Sequence, residues 1–248
     1  MVSALTVHKL TVIYGSTLIL HDISIDVSQG SLVAVIGPNG AGKTTFMKSL
    51  VGLLPAMAGS ISVLGAPFHT NRDKVAYVPQ RMTVDWDFPI SVYDVVMMGR
   101  YGKLGWLKRP TLHDKRIVMD AIEQVDLSSC MHMPIGLLSG GQQQRVFFAR
   151  ALAQQADLYL LDEPFVNIDL VTENALVRLL QNMTRAGKTA IVVHHDVHTV
   201  CTYFDCAALL NVHMVAYGPV SDVVTAPHFR SAYGERYITA FPVRVDSK

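Results

Sequence analysis

The segment whose residue types most clearly indicate chemistry runs from Gly37 to Thr44 and reads Gly-Pro-Asn-Gly-Ala-Gly-Lys-Thr. It has the spacing G-x-x-x-x-G-K-[ST] of a phosphate-binding loop, with an apolar run before it and a helix-compatible run after it. The glycines allow successive backbone N–H groups to point at phosphate oxygens, and the following helix adds its positive end. The segment therefore predicts nucleoside triphosphate binding.

Within this loop, Lys43 is expected to reach the β- and γ-phosphates, and the Thr44 hydroxyl is expected to ligate Mg²⁺. The predicted cofactor-binding residues of the loop and the start of its helix are Gly37, Pro38, Asn39, Gly40, Ala41, Gly42, Lys43, Thr44 and Thr45.

A second candidate anion site is the segment Leu138-Ser-Gly-Gly-Gln. Two glycines at a predicted helix start expose backbone N–H groups, and a serine before them is a plausible N-cap. One nucleotide cannot easily occupy this site and the phosphate-binding loop of the same subunit, so the segment suggests a nucleotide held by another subunit. The alternative is an ordinary helix cap. The residues predicted to contact nucleotide here are Ser139, Gly140, Gly141 and Gln142.

Two acids follow a run of apolar residues in Leu158-Tyr-Leu-Leu-Asp-Glu-Pro. An acid at the end of a buried strand lies at the carboxyl edge of the sheet, where α/β folds bind ligands. We predict that Asp162 holds Mg²⁺ and that Glu163 polarises the attacking water. The alternative is a surface turn.

Gln80 and Tyr14 are weaker candidates. Gln80 follows a predicted strand, so its amide could touch Mg²⁺ or the attacking water while its backbone leads into the next segment. The ring of Tyr14 could stack on adenine. Taken alone, each residue is more often simply exposed or part of the core.

His194 and His195 follow another buried strand, and adjacent strand residues face opposite ways. We predict that His195 senses the γ-phosphate and positions the water and Glu163, while His194 points elsewhere. With His198 the cluster could be mistaken for a transition-metal site, but carboxylate or thiol partners are missing.

The elements that must position these residues are mostly buried strands. Continuous apolar runs at 31–36, 158–161 and 189–193 are typical of a parallel sheet. Alternating residues at 3–29 predict antiparallel strands, and helical spacing dominates 81–157. The predicted fold class is α/β, with a parallel-sheet core (about 1–80 and 158–235), an N-terminal antiparallel β subdomain, a helical insert (about 81–157) and a short tail (236–248) in a single domain.

Local signals give further boundaries. We predict helices near 92–99, 117–125, 139–154 and 172–185, the last ended by Gly187. A loop is expected at 101–110 and a hairpin at 206–217. The residues after Pro227 have little periodicity, and no element is predicted there.

Composition narrows the function classes. With 21 basic and 20 acidic residues among 248, the chain gives no electrostatic case for nucleic-acid binding. No apolar run reaches the ~20 residues that span a bilayer, and the N-terminus is not that of a signal peptide. The three cysteines lack metal-site spacing and are interpreted as reduced thiols in a cytosol.

In combination and order, these motifs resemble the ATPase subunits of ABC transporters over roughly residues 4–235. The resemblance implies a P-loop NTPase of ABC type in which two copies pair head to tail and ATP with Mg²⁺ lies between the loop of one and the Leu138–Gln142 segment of the other. It implies Glu163 as general base and His195 as switch histidine. Asn167-Ile-Asp169 occupies the D-loop position, although Val166 and Asn167 depart from the small residues usual there.

A narrower resemblance joins the chain to the ATPases of manganese, zinc and iron(II) importers, through residues 84–101 and Val193-His-His-Asp. It implies separate membrane permease subunits, an extracytoplasmic metal-binding protein, and a peripheral location at the cytoplasmic face of the inner membrane. Trp86 and Phe88, flanked by acids and close to Gln80, make a plausible socket for a permease helix, or else anchor the insert to its core.

Two other functions stay open. The chain could serve an importer of another substrate, such as an iron chelate, haem or an anion, because the membrane and binding subunits select the cargo. A soluble ABC-type ATPase acting on DNA or ribosomes would usually carry two such domains or a coiled-coil insertion and a basic face, which this sequence lacks.

Overall fold

The computed structural model describes residues 3–80, 89–104 and 108–234. Within them, the strands are β1 (Ser3–Tyr14), β2 (Thr17–Ser28), β3 (Leu32–Ile36), β4 (Ala58–Val63), β5 (Val75–Val78), β6 (Leu158–Asp162), β7 (Thr189–Val193), β8 (Cys206–Asn211) and β9 (His213–Pro219). The α-helices are α1 (Lys43–Leu50), α2 (Val92–Leu104), α3 (Leu112–Gln124), α4 (Gly140–Ala153), α5 (Leu170–Arg185), α6 (Val197–Tyr203), α7 (Val220–Val223) and α8 (Ala226–Tyr233).

A six-stranded sheet with the order β5-β6-β7-β3-β8-β9 forms the centre of the fold. Its first five strands are parallel, and β9 adds antiparallel to β8. Every residue of β3, β6 and β7 is buried, as expected for parallel strands covered on both faces. The predicted parallel core is confirmed.

A separate antiparallel sheet has the order β2-β1-β4, which confirms the predicted N-terminal antiparallel strands. It packs on one face of the central sheet, so alternate residues of β3 belong to two hydrophobic cores. Val33 and Val35 pack with the antiparallel sheet, whereas Leu32, Ala34 and Ile36 pack with helices on the other face.

Helices α2, α3 and α4 contact one another and form the described part of the predicted helical segment. The predicted loop at 101–110 is wrong at its start, because α2 continues to Leu104. A tertiary contact supports this last turn: the Lys103 Nζ donates to the Gln155 carbonyl at 3.1 Å. Helices α6 and α8 were not predicted, since each is short and lacks a clear periodicity.

A buried ion pair links α2 to α3. The Arg100 Nε donates to Asp114 Oδ1 at 3.0 Å, and the same guanidinium donates to the Ala153 carbonyl at the end of α4. Both side chains are less than a tenth exposed. Hydrogen bonds from the hydroxyl and backbone N–H of Thr111, together with Arg100, lower the pKa of Asp114 to about 2. This carboxylate therefore stabilises the fold above its ordinary pKa, and the contribution is lost as the pH falls towards 2.

We expect Asp114→Asn to lower the free energy of unfolding by about 3 kcal/mol, because it leaves the buried Arg100 charge without its carboxylate. Urea denaturation at neutral pH measures the change. Asp120→Asn is the matched control, since Asp120 is exposed on the same helix and should change stability by less than about 0.5 kcal/mol. Equal stability of the two variants would contradict this account of the ion pair.

Candidate nucleotide-binding site

Four neighbouring strands end at one edge of the central sheet and deliver the predicted residues there. In the chain, the phosphate-binding loop follows β3 and Gln80 follows β5. Glu163 follows β6, and His195 follows β7. A cavity of about 730 Å³ opens at this edge, as expected for ligand sites in parallel α/β sheets. Its lining consists of Ile19, Asn39, Gly40, Ala41, Gly42, Lys43, Thr44, Thr45, Gln80, Glu163 and His195.

The phosphate-binding loop is held from behind by β8. A Cβ atom on Gly37 would lie 2.0 Å from the Leu210 carbonyl oxygen, so only glycine fits this position. The Ala41 carbonyl accepts a hydrogen bond from the Val212 N–H at 3.1 Å. These contacts fix the loop so that α1 begins at its last two residues, with the helix N-terminus at the cavity.

The Lys43 side chain is folded back over the loop. Its Nζ donates to the carbonyl oxygens of Gly37 at 2.7 Å and Pro38 at 2.9 Å, and the residue is 6% exposed. Burial lowers the pKa of Lys43, while the nearby acids Glu163 and Asp162 oppose that shift. A partly desolvated ammonium group in this place would attract a phosphate anion strongly.

Asp162 is fully buried at the end of β6. Its Oδ1 accepts a hydrogen bond from the Thr44 hydroxyl at 3.3 Å, and its Oδ2 has no hydrogen-bond partner. Burial raises the pKa of Asp162, and the Thr44 hydrogen bond acts against this. A buried carboxylate with a free oxygen, next to a threonine hydroxyl, fits the oxygen ligands that Mg²⁺ prefers.

Glu163 is contacted by two polar residues that follow neighbouring strands. The Gln80 Nε2 donates to its Oε2 at 2.5 Å, and the His195 Nε2 contacts its Oε1. The backbone of Glu163 is left-handed, with φ of 55°, a conformation that is uncommon for non-glycine residues. Glu163 is therefore a carboxylate that lines the cavity and has a contact to each of its two oxygens, an arrangement suited to a group that takes a proton from water.

His194 points away from this cavity. Its ring lies among Phe165, Tyr203 and Phe204, with centroids 5.3–6.1 Å away, and its Nε2 is 2.7 Å from the Thr199 hydroxyl. Burial lowers the pKa of His194 to about 4, so the ring is neutral at physiological pH. Its surroundings are those of a packed aromatic cluster.

The segment predicted as a second anion site lies at the N-terminus of α4, outside the cavity lining. Ser139 and Gln142 form a capping box: the Ser139 Oγ accepts from the Gln142 N–H, and the Gln142 Oε1 accepts from the Ser139 N–H. A Cβ on Gly141 would lie 2.7 Å from the Asn167 carbonyl oxygen, so this segment packs directly on the turn that follows Glu163.

The predicted site residues and the residues that line the cavity are not identical. Tyr14 is 74% exposed and does not line the cavity. Ile19, on β2, does line it and was not predicted, because one apolar residue in an alternating strand carries no functional signal. Trp86 and Phe88 lie outside the described residues.

Known proteins resemble this chain over most of its length. The family model described as ABC transporter matches residues 20–166. The chain is 50% identical to the zinc transport system ATP-binding protein TroB of Treponema pallidum, covering 96% of this chain and 90% of that one. It is 47% identical to the manganese transport system ATP-binding protein MntB of Bacillus subtilis, covering 92% and 91%.

Among solved structures, an inward-facing metal-chelate type ABC transporter matches with a TM-score of 0.81 at 27% identity, covering 93% of this chain and 89% of that one.

We expect Gly141→Ala to lower the free energy of unfolding by about 1–3 kcal/mol, because its Cβ must displace the Asn167 carbonyl. Gly140→Ala is the matched control: no atom lies within 4 Å of its Cβ, and alanine favours the helix. Urea denaturation compares the two variants. A Gly141→Ala protein as stable as Gly140→Ala would show that the packing on Asn167 is not tight.

Proposed function

We propose that this chain, which belongs to the ABC transporter family and is an ATP-hydrolysing subunit of that family, energises the import of a transition-metal ion. The proposed ATP hydrolysis is supported by the contact of Glu163 with both Gln80 and His195, beside the phosphate-binding loop. The metal cargo is supported by relatives that serve zinc and manganese transport at 47–50% identity over nearly the whole chain. Manganese, zinc and iron are the candidate cargoes.

The phosphate-binding loop would hold the triphosphate of ATP. Its backbone N–H groups and the α1 N-terminus would bind the β- and γ-phosphates, and Lys43 would exchange its two carbonyl partners for phosphate oxygens. Thr44 and Asp162 would hold Mg²⁺, and the amide oxygen of Gln80 would be a further ligand. When bound, Mg²⁺ neutralises charge on the phosphate oxygens. Tyr14 would contribute an aromatic face for adenine from its exposed position.

Glu163 would accept a proton from the attacking water, since it is the carboxylate at the cavity mouth. His195 and Gln80 each contact one oxygen of this carboxylate. The carboxylate is therefore already ordered before ATP binds. His195 would also sense the γ-phosphate, and Gln80 would relay the state of the site to the segment that follows it.

A second copy of the chain would complete each site. Ser139, Gly140, Gly141 and Gln142 lie outside the cavity of their own subunit, at a helix N-terminus suited to an anion. In a head-to-tail dimer they would cover the triphosphate held by the partner. ATP then joins the two copies, and loss of the γ-phosphate releases them, so the dimer opens and closes with hydrolysis.

The remaining partners would be membrane permease subunits and, through them, an extracytoplasmic metal-binding protein. Permeases would dock near Gln80, Trp86 and Phe88, at the beginning of the segment from 81 to 157. Among the residues that the structure describes, no helix has the length and apolar character to cross a bilayer. A peripheral position at the cytoplasmic face of the inner membrane fits this division of labour.

An importer of metal chelates is the second candidate, because a metal-chelate type transporter has the same fold at 27% identity. The higher identity to zinc and manganese relatives favours the free ion.

We expect Glu163→Gln to bind ATP with Mg²⁺ normally but to lose at least about 100-fold in kcat, because the amide cannot take a proton from water. Gel filtration with saturating ATP should show a dimer. Glu123→Gln, an exposed change on α3, is the control and should keep wild-type activity. A monomeric Glu163→Gln protein under saturating ATP would contradict the proposed dimer, and an active one would contradict the role of Glu163.

The cargo is tested by elemental analysis of cells that carry either the wild-type chain or Glu163→Gln in metal-poor medium. We expect the mutant cells to contain less manganese, zinc or iron, with one element falling selectively. The second candidate is tested by growing both strains with a metal chelate as the sole source of the metal. If the chain serves a chelate importer, the mutant strain should grow less well on the chelate than the wild type. Equal contents of all three elements in both strains would remove the metal-ion proposal and leave the ATPase without a cargo.

A further inference from the structure

Two exposed histidines meet away from the nucleotide cavity. His21 lies on β2 in the antiparallel sheet, and His213 begins β9 at the edge of the central sheet. Their Nδ1 atoms are 3.3 Å apart although 192 residues separate them in the chain. The ring centroids are 4.8 Å apart and the planes are inclined by 74°, so the rings are T-shaped relative to one another and are not stacked.

This distance has a specific meaning for metal binding. Two imidazole nitrogens that each lie ~2.0–2.1 Å from a tetrahedral zinc ion are about 3.4 Å from one another. The observed 3.3 Å between the Nδ1 atoms is close to that separation. The two side chains therefore need little rearrangement to share one ion, and their exposure leaves room for water ligands.

The backbone holds the pair in place. The His21 N–H donates to the Val212 carbonyl at 2.8 Å, next to His213 in the chain. Val212 forms the tight connection between β8 and β9 with φ of 61°. The two Cα positions are thus fixed by a hydrogen bond between sheets, so metal binding would cost mainly the ordering of two side chains.

We propose that His21 and His213 form a binding site for a divalent transition-metal ion of the zinc type, with the two Nδ1 atoms as protein ligands and water in the other positions. Among residues the structure describes, no group of three or more His, Cys, Asp and Glu side chains surrounds a common point, so the site has two protein ligands. Such a site is open and exchanges its metal readily. Imidazole favours zinc, copper and nickel over manganese.

The site lies directly behind the phosphate-binding loop. Val212, flanked by His213, donates its N–H to the Ala41 carbonyl, and His21 donates its N–H to Val212. An ion shared by the two histidines would therefore tie together the two sheets at the segment that supports the loop. The proposal needs only these contacts and does not depend on the cargo of the proposed importer.

The test compares zinc binding by the purified full chain with that of His21→Asn and His213→Asn, by competition with a chromophoric chelator. Loss of one of two ligands should weaken zinc binding at this site by about 10-fold or more, because even partners outside the ligand shell contribute 10–100-fold. His69→Asn, an exposed histidine elsewhere, is the control and should bind as the wild type does. Zinc bound at histidines other than His21, His69 and His213 contributes equally to all four proteins.

Two further readouts make the result decisive. The thermal midpoint of the wild type should rise with zinc, and the rise should be smaller in both single variants but not in His69→Asn. Manganese at the same concentration should produce no difference between wild type and variants. Equal zinc affinity, or an equal rise in midpoint, in the wild type and both variants would overturn the proposal.

Discussion

The arrangement of the site depends on the in-register pairing of parallel strands. Asp162 pairs with Val193, and Val193 in turn pairs with Val35. Because these strands end together, the residues that follow them are brought to one edge without any long-range signal in their own side chains. A shift of one residue in any of these strands would turn its buried side chains to the other face and remove its polar residue from the cavity. Packing in two hydrophobic cores fixes that register.

The same edge concentrates groups that the fold would otherwise avoid. Asp162 is fully buried with one oxygen unpartnered, Lys43 is nearly buried, and Glu163 has a left-handed backbone. Each feature opposes folding, and under the proposed function each would be relieved or used when a magnesium nucleotide binds. A ligand that binds only the folded chain adds its binding free energy to stability, so the empty site is the less stable form.

The sequence predicted the buried strands because parallel strands covered on both faces are apolar throughout, and it predicted the start of α4 because Ser139 is followed by glycines and Gln142. The sequence-based prediction was wrong or silent where tertiary contacts determine the secondary structure. The last turn of α2 is supported by Lys103 on Gln155, and α6 and α8 are too short for periodicity to reveal. The approach of His21 to His213 depends on two sheets meeting, so no local pattern could predict it. The approach of His195 to Glu163 was predicted from the strand ends, whereas the hydrogen bond from Gln80 to Glu163 was not predicted.

The position of β3 between β7 and β8 has a consequence for synthesis on the ribosome. The phosphate-binding loop is made early, but its supporting contacts come from Leu210 and Val212, and its strand neighbours begin at Thr189 and Cys206. N-terminal segments emerge first and wait for partners made later. The glycine-rich loop of the nascent chain therefore lacks its supporting contacts until about five-sixths of the protein has left the ribosome exit tunnel. The loop can reach the conformation described here only after the chain up to Val212 has been made, because a chain that ends before β8 lacks the Leu210 and Val212 contacts.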